Sequence, residues 1–222
     1  MKRNEEAVQL IKEKKYEEAA KILNDIIETY PHEAIGYINF GNLLFKTKDY
    51  ARAKVFFKRA IELDDQAATA YYSLGNVYYE EELLTKAQTS YQKAIECGLV
   101  EGDVYFMLGL TLIKQSYTKL ALPYLQRATE LDSKDAEKWF QYGLSLAKNN
   151  HLKEAKKIFH HVLKLNEAHS DAYYNLGVIA TYNEQFEKGL HYFDQALNIQ
   201  SEHALAANGK KRVEKLLEKN HK

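Results

Sequence analysis

The stretch Ala68–Glu101 reads ATAYYSLGNVYYEEELLTKAQTSYQKAIECGLVE. Tyr71, Leu74, Gly75 and Tyr78 in it are spaced as one stripe of an amphipathic helix. A polar run, Glu80-Glu81-Glu82, and a short break follow. Ala87, Tyr91, Ala94 and Ile95 then continue with helical spacing on a second helix. Glycine and alanine fall where two helices must touch closely, because without bulky side chains their backbones approach.

A shift of 34 residues returns the pattern with no insertion or deletion. The glycine column reads Gly41, Gly75, Gly109, Gly143 and Gly177, with Ala7 ahead of it. A first alanine column reads Ala19, Ala53, Ala87, Ala121 and Ala155, then Gly189. A second reads Ile26, Ala60, Ala94, Ala128, Val162 and Ala196. An aromatic column before the glycine reads Tyr37, Tyr71, Tyr105, Trp139 and Tyr173. A fixed period of this length decides the architecture, since each unit is one supersecondary element that cannot bury its apolar face alone.

These columns resemble the tetratricopeptide repeat (TPR), and the chain is similar to short bacterial-type members of that family. Leu74-Gly75, Leu108-Gly109 and Leu176-Gly177 match its Leu-Gly pair, and Phe40-Gly41 and Tyr142-Gly143 are close variants. The large-residue slot before the second alanine column holds Leu23, Phe57, Tyr91, Leu125, Phe159 and Phe193. The closing proline of the family survives only as Pro31. Its slot elsewhere holds Asp65, Leu99, Ser133, Glu167 and Ser201, which loosens the turns and not the helices. The resemblance implies an all-α, right-handed α-solenoid (superhelix) of antiparallel helix pairs. The expected array covers residues 1–203, as repeats at about 1–33, 34–67, 68–101, 102–135, 136–169 and 170–203. A C-terminal capping helix and short tail follow at 204–222.

Composition narrows the function classes. The chain has 222 residues, with 31 basic and 31 acidic side chains. A net charge of zero gives no electrostatic reason for a nucleic acid or an anionic membrane as partner. Cys97 is the single cysteine, so no internal disulfide forms and a reducing compartment suits the chain. The opening MKRNEEAVQL places Glu5 and Glu6 where a signal peptide needs its apolar region. The longest apolar run, Val104–Ile113, is too short to span a bilayer. The expectation is a cytoplasmic protein, a monomer or weak homo-oligomer.

Local departures are informative. Arg3 and Glu6 stand in the aromatic and leucine columns of the first repeat, as suits an outer face without a neighbour. Ala19, Ala20, Leu23 and Ile27 carry the core stripe of its second helix, which Pro31 ends. Tyr16, Tyr50, Leu84, Leu152 and Phe186 share a column at the helix–helix corner. Gly98 suits a left-handed helix cap. Pro123 falls early in a second helix, either in the first turn or at a slight kink. Beyond His203, Ala204, Leu205, Ala207, Val213, Leu216 and Leu217 are expected to face the array. Lys210, Lys211, Arg212, Glu214, Lys215, Glu218 and Lys219 are expected to face water.

Each first helix has a second stripe, one residue along from the core stripe. It reads Ile38, Asn42, Phe45; Tyr72, Asn76, Tyr79; Phe106, Leu110, Ile113; Phe140, Leu144, Ala147; and Tyr174, Val178, Thr181. Periodicity shows that these residues share a face, and the resemblance implies that the face lines a concave groove. Val104–Ile113 is apolar except at Gly109 and Thr111, which leaves Phe106, Met107, Leu110 and Ile113 beyond the core requirement. Large apolar patches mark interaction sites, and aromatic residues dominate interface hot spots. Packing between neighbouring first helices is the alternative. Asn39, Asn42, Asn76 and Asn175 lie on or beside the stripe. Their amides suit clamping a peptide backbone or, equally, bridging between helices.

Asp103, Glu137 and Asp171 at helix starts, and Lys12, Lys46, Lys114 and Lys148 at helix ends, are accounted for by the helix dipole. Co-chaperone members of the family use a lysine-and-asparagine clamp for a C-terminal carboxylate. The column of its first lysine holds Asn4, Ile38, Tyr72, Phe106, Phe140 and Tyr174 here, so no such clamp is expected. No phosphate loop, HExxH, CxxC or nucleophile elbow occurs. His160 and His161 diverge by about 100° on a helix and form no metal pair. Neither an enzyme, a cofactor nor a metal is expected. The functional expectation is an adaptor that binds a peptide or helix of a partner protein. A self-associating assembly protein is the alternative, and an RNA-binding helical repeat a third.

Overall fold

In the computed structural model, residues 2–220 are described, with side chains to Glu218. Thirteen helices follow one another: α1 Lys2–Lys12, α2 Tyr16–Thr29, α3 Ala34–Lys46, α4 Tyr50–Leu63, α5 Ala68–Glu80, α6 Leu84–Glu96, α7 Gly102–Lys114, α8 Thr118–Leu131, α9 Ala136–Lys148, α10 Leu152–Leu165, α11 Ser170–Tyr182, α12 Phe186–Ile199 and α13 Ala204–Asn220. They form an all-α solenoid of antiparallel helix pairs. Two compact units share them, the first ending at Ser116 and the second beginning at Tyr117, within the fourth repeat.

The periodic columns are the core. Leu23, Phe57, Tyr91, Leu125, Phe159 and Phe193 are sealed from solvent, as are both alanine columns. The glycine column explains how this is possible. A Cβ at Gly41 would lie 2.5 Å from the Phe57 ring, and one at Gly75 would lie 2.6 Å from Tyr91. Phe57, Tyr91, Phe159 and Phe193 thus each occupy the volume that a side chain on the facing first helix would need. Ala94, fully buried in the second alanine column, has the same constraint. Ala94→Leu is expected to cost about 1–3 kcal/mol through overpacking, read from urea unfolding. An unchanged midpoint would place slack at this contact.

Turns within repeats share one device. Lys14, Lys48, Glu82, Ser116, Asn150 and Glu184 all have left-handed φ values between 58° and 69°. Around each, backbone amides fold back on the helix that is ending. Lys14 N donates to Ile11 O at 3.1 Å and Lys15 N to Leu10 O at 2.9 Å, and Lys48 and Asp49 repeat this with Phe45 and Leu44. These bonds satisfy carbonyls the helix end leaves open. Gly98, with φ 90°, ends α6 in the same way. The turns between repeats use side chains. Tyr37 donates to Pro31 O at 3.1 Å, and the Trp139 indole to Ser133 O at 2.9 Å.

Three expectations need correction. Pro123 is the sixth residue of α8, past the first turn, and exposed. There its missing N–H leaves one carbonyl open on the solvent side. In α2 the buried stripe is Ala19, Leu23 and Ile26, with Ile27 and Ala20 only partly covered. In α13, Leu205, Leu216, Ala204 and Ala207 are exposed. Val213 and Leu217 pack with Phe193 and Ala196 as expected, joined by Ala206 in place of the exposed four. The reason is register. Ala206 continues the buried column of Ala70, Val104 and Ala172, and Val213 that of Leu43, Val77 and Ile179. Lys210, expected in water, is partly covered and pairs with Asp194 at 2.7 Å. The side chain of Lys219 lies outside the described residues.

Candidate functional site

The first helices set the stripe at three depths. Its first column lies on the large core residue of the following second helix. Tyr72 has its ring 5.9 Å from Tyr91, Phe140 lies 5.8 Å from Phe159, and Tyr174 lies 6.0 Å from Phe193. The inter-repeat turn then covers some members. Ile38 is buried with Ala60, Ala67 and Ala70. Phe140 is buried with the His169 ring 4.4 Å away. Ile38 and Phe140 are thus packed within the array, covered chiefly by second-helix and turn residues. Tyr72, Phe106 and Tyr174 keep part of their surface.

The other two columns are more open. Asn42, Asn76, Leu110 and Leu144 are partly exposed, and Val178 is 41% exposed. Phe45, Tyr79 and Ile113 are partly exposed too, as is Met107 beside the stripe. Lys114 Nζ sits 4.6 Å over the Tyr79 ring, a cation–π contact that steadies its face toward solvent.

All four asparagines have structural partners. Buried Asn39 donates to Asn4 Oδ1 at 2.9 Å, bridging α3 to α1. Asn42 accepts from Ser73 Oγ at 2.9 Å, bridging α3 to α5. Asn76 accepts from the Tyr91 hydroxyl at 2.9 Å, and burial raises that phenol far above its usual range. Asn175 donates to Asp171 O at 2.8 Å. The interhelical role is therefore present, and Asn42 and Asn76 keep their amide nitrogens for another acceptor.

The histidines are used for packing and capping. His161 meets the Trp139 ring at 4.5 Å. His169 Nδ1 accepts from Ala172 N at 3.3 Å, capping α11. His160 has its pKa lowered by burial, then by Lys156 and Lys164. Among the described residues no three His, Cys, Asp or Glu side chains are grouped to hold a metal ion, and no helix is long and apolar enough to cross a membrane.

A hollow of about 520 Å³ opens on the first-helix side of the second unit, between α11 and α13. Tyr174 and Val178 line it, joined by Tyr182, Leu205, Arg212 and Leu216, which the stripe reading did not include. Carrying the 34-residue shift past His203 would have found Arg212, one period after Val178. A smaller hollow of about 370 Å³ lies between α1 and α3, against Asn4, Val8, Ile35 and Asn39.

Family models agree with this geometry. A tetratricopeptide repeat model matches residues 6–32 and a TPR repeat model residues 41–82. The middle TPR-like domain of cilia and flagella-associated protein 70 matches residues 114–217. YrrB, described as a TPR protein with an unusual peptide-binding site, is 45% identical. The match covers 85% of this chain and 97% of YrrB, with a TM-score of 0.81. The chain belongs to the tetratricopeptide repeat family. MamA shares the TPR fold at 20% identity, over 74% of this chain and 96% of its own, with a TM-score of 0.69. Pseudomonas aeruginosa pilF does so at 21% identity, over 85% and 86%, with a TM-score of 0.69. Among curated proteins none matches.

Proposed function

We propose that this TPR protein is a non-enzymatic adaptor that binds a peptide segment, extended or helical, of a cytoplasmic partner protein on its first-helix face. One observation carries the reading. The core columns are sealed, yet in the first unit Phe45, Tyr79, Leu110 and Ile113 keep apolar surface on the first-helix side, with the Asn42 and Asn76 amides among them, and in the second unit Val178 does so. Apolar anchors beside free amide donors suit a peptide, whose side chains are buried while its carbonyls are satisfied. The 45% identity with YrrB, and the peptide-binding site described for that protein, support it.

The test uses random dodecapeptides displayed on phage, selected on the full chain. The best is then synthesised with a fluorophore and measured by anisotropy. Tyr79→Glu with Leu110→Glu, both on partly exposed positions, is expected to weaken binding at least tenfold, about 1.4 kcal/mol. Its circular dichroism should match the parent. Undiminished affinity in the folded variant would remove the first-helix face as the site.

A further inference from the structure

The repeat register runs on into α13. Ala206 and Val213 occupy buried columns of earlier first helices. The same shift puts Asn208, Arg212 and Lys215 in the columns of Tyr174, Val178 and Thr181. The apolar stripe therefore ends in two cations, beside the hollow of about 520 Å³ between α11 and α13. Val178, Tyr182 and Leu205 are large, substantially exposed residues around that hollow, at 41%, 69% and 57%. Arg212 is on its lining and exposed. Among the described residues Arg212 has no ion-pair partner, and its helical neighbours Asn208, Gly209, Lys215 and Leu216 include no acid. Lys210, two residues before it, is already neutralised by Asp194 at 2.7 Å.

We propose that this hollow is a subsite for one large apolar side chain of the bound peptide, and that Arg212 and Lys215 hold an acidic side chain next to it. The partner segment is thus apolar and acidic at this end. The inference rests on the adaptor reading above. A guanidinium pairs with a carboxylate through two parallel hydrogen bonds. Apolar walls on one side of the pair reduce its exposure to water, which strengthens it and penalises a basic residue at that position. The charged residue of the lining, Arg212, comes from α13, so the preference belongs to this hollow.

The same displayed dodecapeptides are selected in parallel on the parent chain and on Arg212→Glu with Lys215→Glu. Both positions are exposed, so the fold is expected to persist. Parent selections should pair a large apolar residue with Asp or Glu within two positions. Selections on the variant should replace that acid with Lys or Arg. The acidic peptide should bind the variant at least tenfold more weakly, and its lysine counterpart should bind the variant more tightly than the parent. A preference that follows the reversed charge cannot come from misfolding. Parent selections without acid, or selections unchanged by the reversal, overturn the subsite and leave the adaptor reading standing. Failure to select any peptide on the parent overturns both. As a second variant, Val178→Arg should remove the large apolar residue from the selected peptides, and its retention would count against the hollow as its pocket.

Discussion

Phe159→Ala should lower stability by about 3–5 kcal/mol, among the largest costs for a single side chain. Phe159 is sealed in α10, against Phe140 at 5.8 Å between ring centres and against the bare backbone of Gly143. Truncation leaves a cavity that the neighbours cannot close. Gly143 has no side chain to swing in, and the helices around it are held by their own hydrogen bonds. In a repeat array the loss is shared with adjacent repeats, because each interface belongs to two of them. For a chain of this size the midpoint of thermal unfolding should fall by roughly 10 °C, followed by circular dichroism at 222 nm. Tyr182→Ala is the control. Its side chain is 69% exposed, and its change should stay within about 0.5 kcal/mol. Equal effects from the two would contradict the packing described for the core.

Glycine at the left-handed turns should act in the opposite direction. Lys14, Lys48, Ser116 and Glu184 hold φ between 59° and 69° with a side chain attached. That conformation costs an L-residue about 1–2 kcal/mol. Glycine removes the clash but gives the unfolded chain more freedom, an offset of about 0.5–1 kcal/mol. The net gain is about 0.5–1 kcal/mol per site. The four lie in different repeats, so their effects should add to about 2–4 kcal/mol in the combined variant. Glu82 is left unchanged because it also pairs with Lys114 at 3.6 Å. Asn150 is left unchanged because asparagine tolerates this region better than most. Urea unfolding of the single and combined variants decides the matter. A combined variant less stable than the parent would mean that these side chains contribute more than their backbone strain costs.

These turns show where sequence reading stops. The helix pairs were legible because close contacts admit only glycine or alanine, so the columns at Gly75 and Ala94 announce themselves. The left-handed residues do not, since lysine, glutamate, serine and asparagine in those slots carry no common chemistry. Only Gly98 was recognisable, through its freedom at positive φ. The depth of the stripe was equally hidden. Spacing places Ile38 and Phe140 on the same face as Leu110. It does not tell that Ala67 and His169, from the next turn, cover the first two. For α13, apolar character alone pointed to Leu205 and Leu216 along with Val213, where the repeat register keeps Val213 and selects Ala206 in place of the other two.

The uniform spacing of the buried columns also gives the chain something like a reading frame. Within each compact unit the contacts between helices recur at one fixed interval, so a change in length is tolerated or not according to whether it keeps phase. A few residues added at an exposed inter-repeat turn leave every helix in register with its neighbours. The same residues inside a helix rotate all that follows on that helix and carry Gly or Ala away from the large residue it must meet. A duplicated Ala68–Glu101 cassette, though far longer, would arrive with both of its faces already matched.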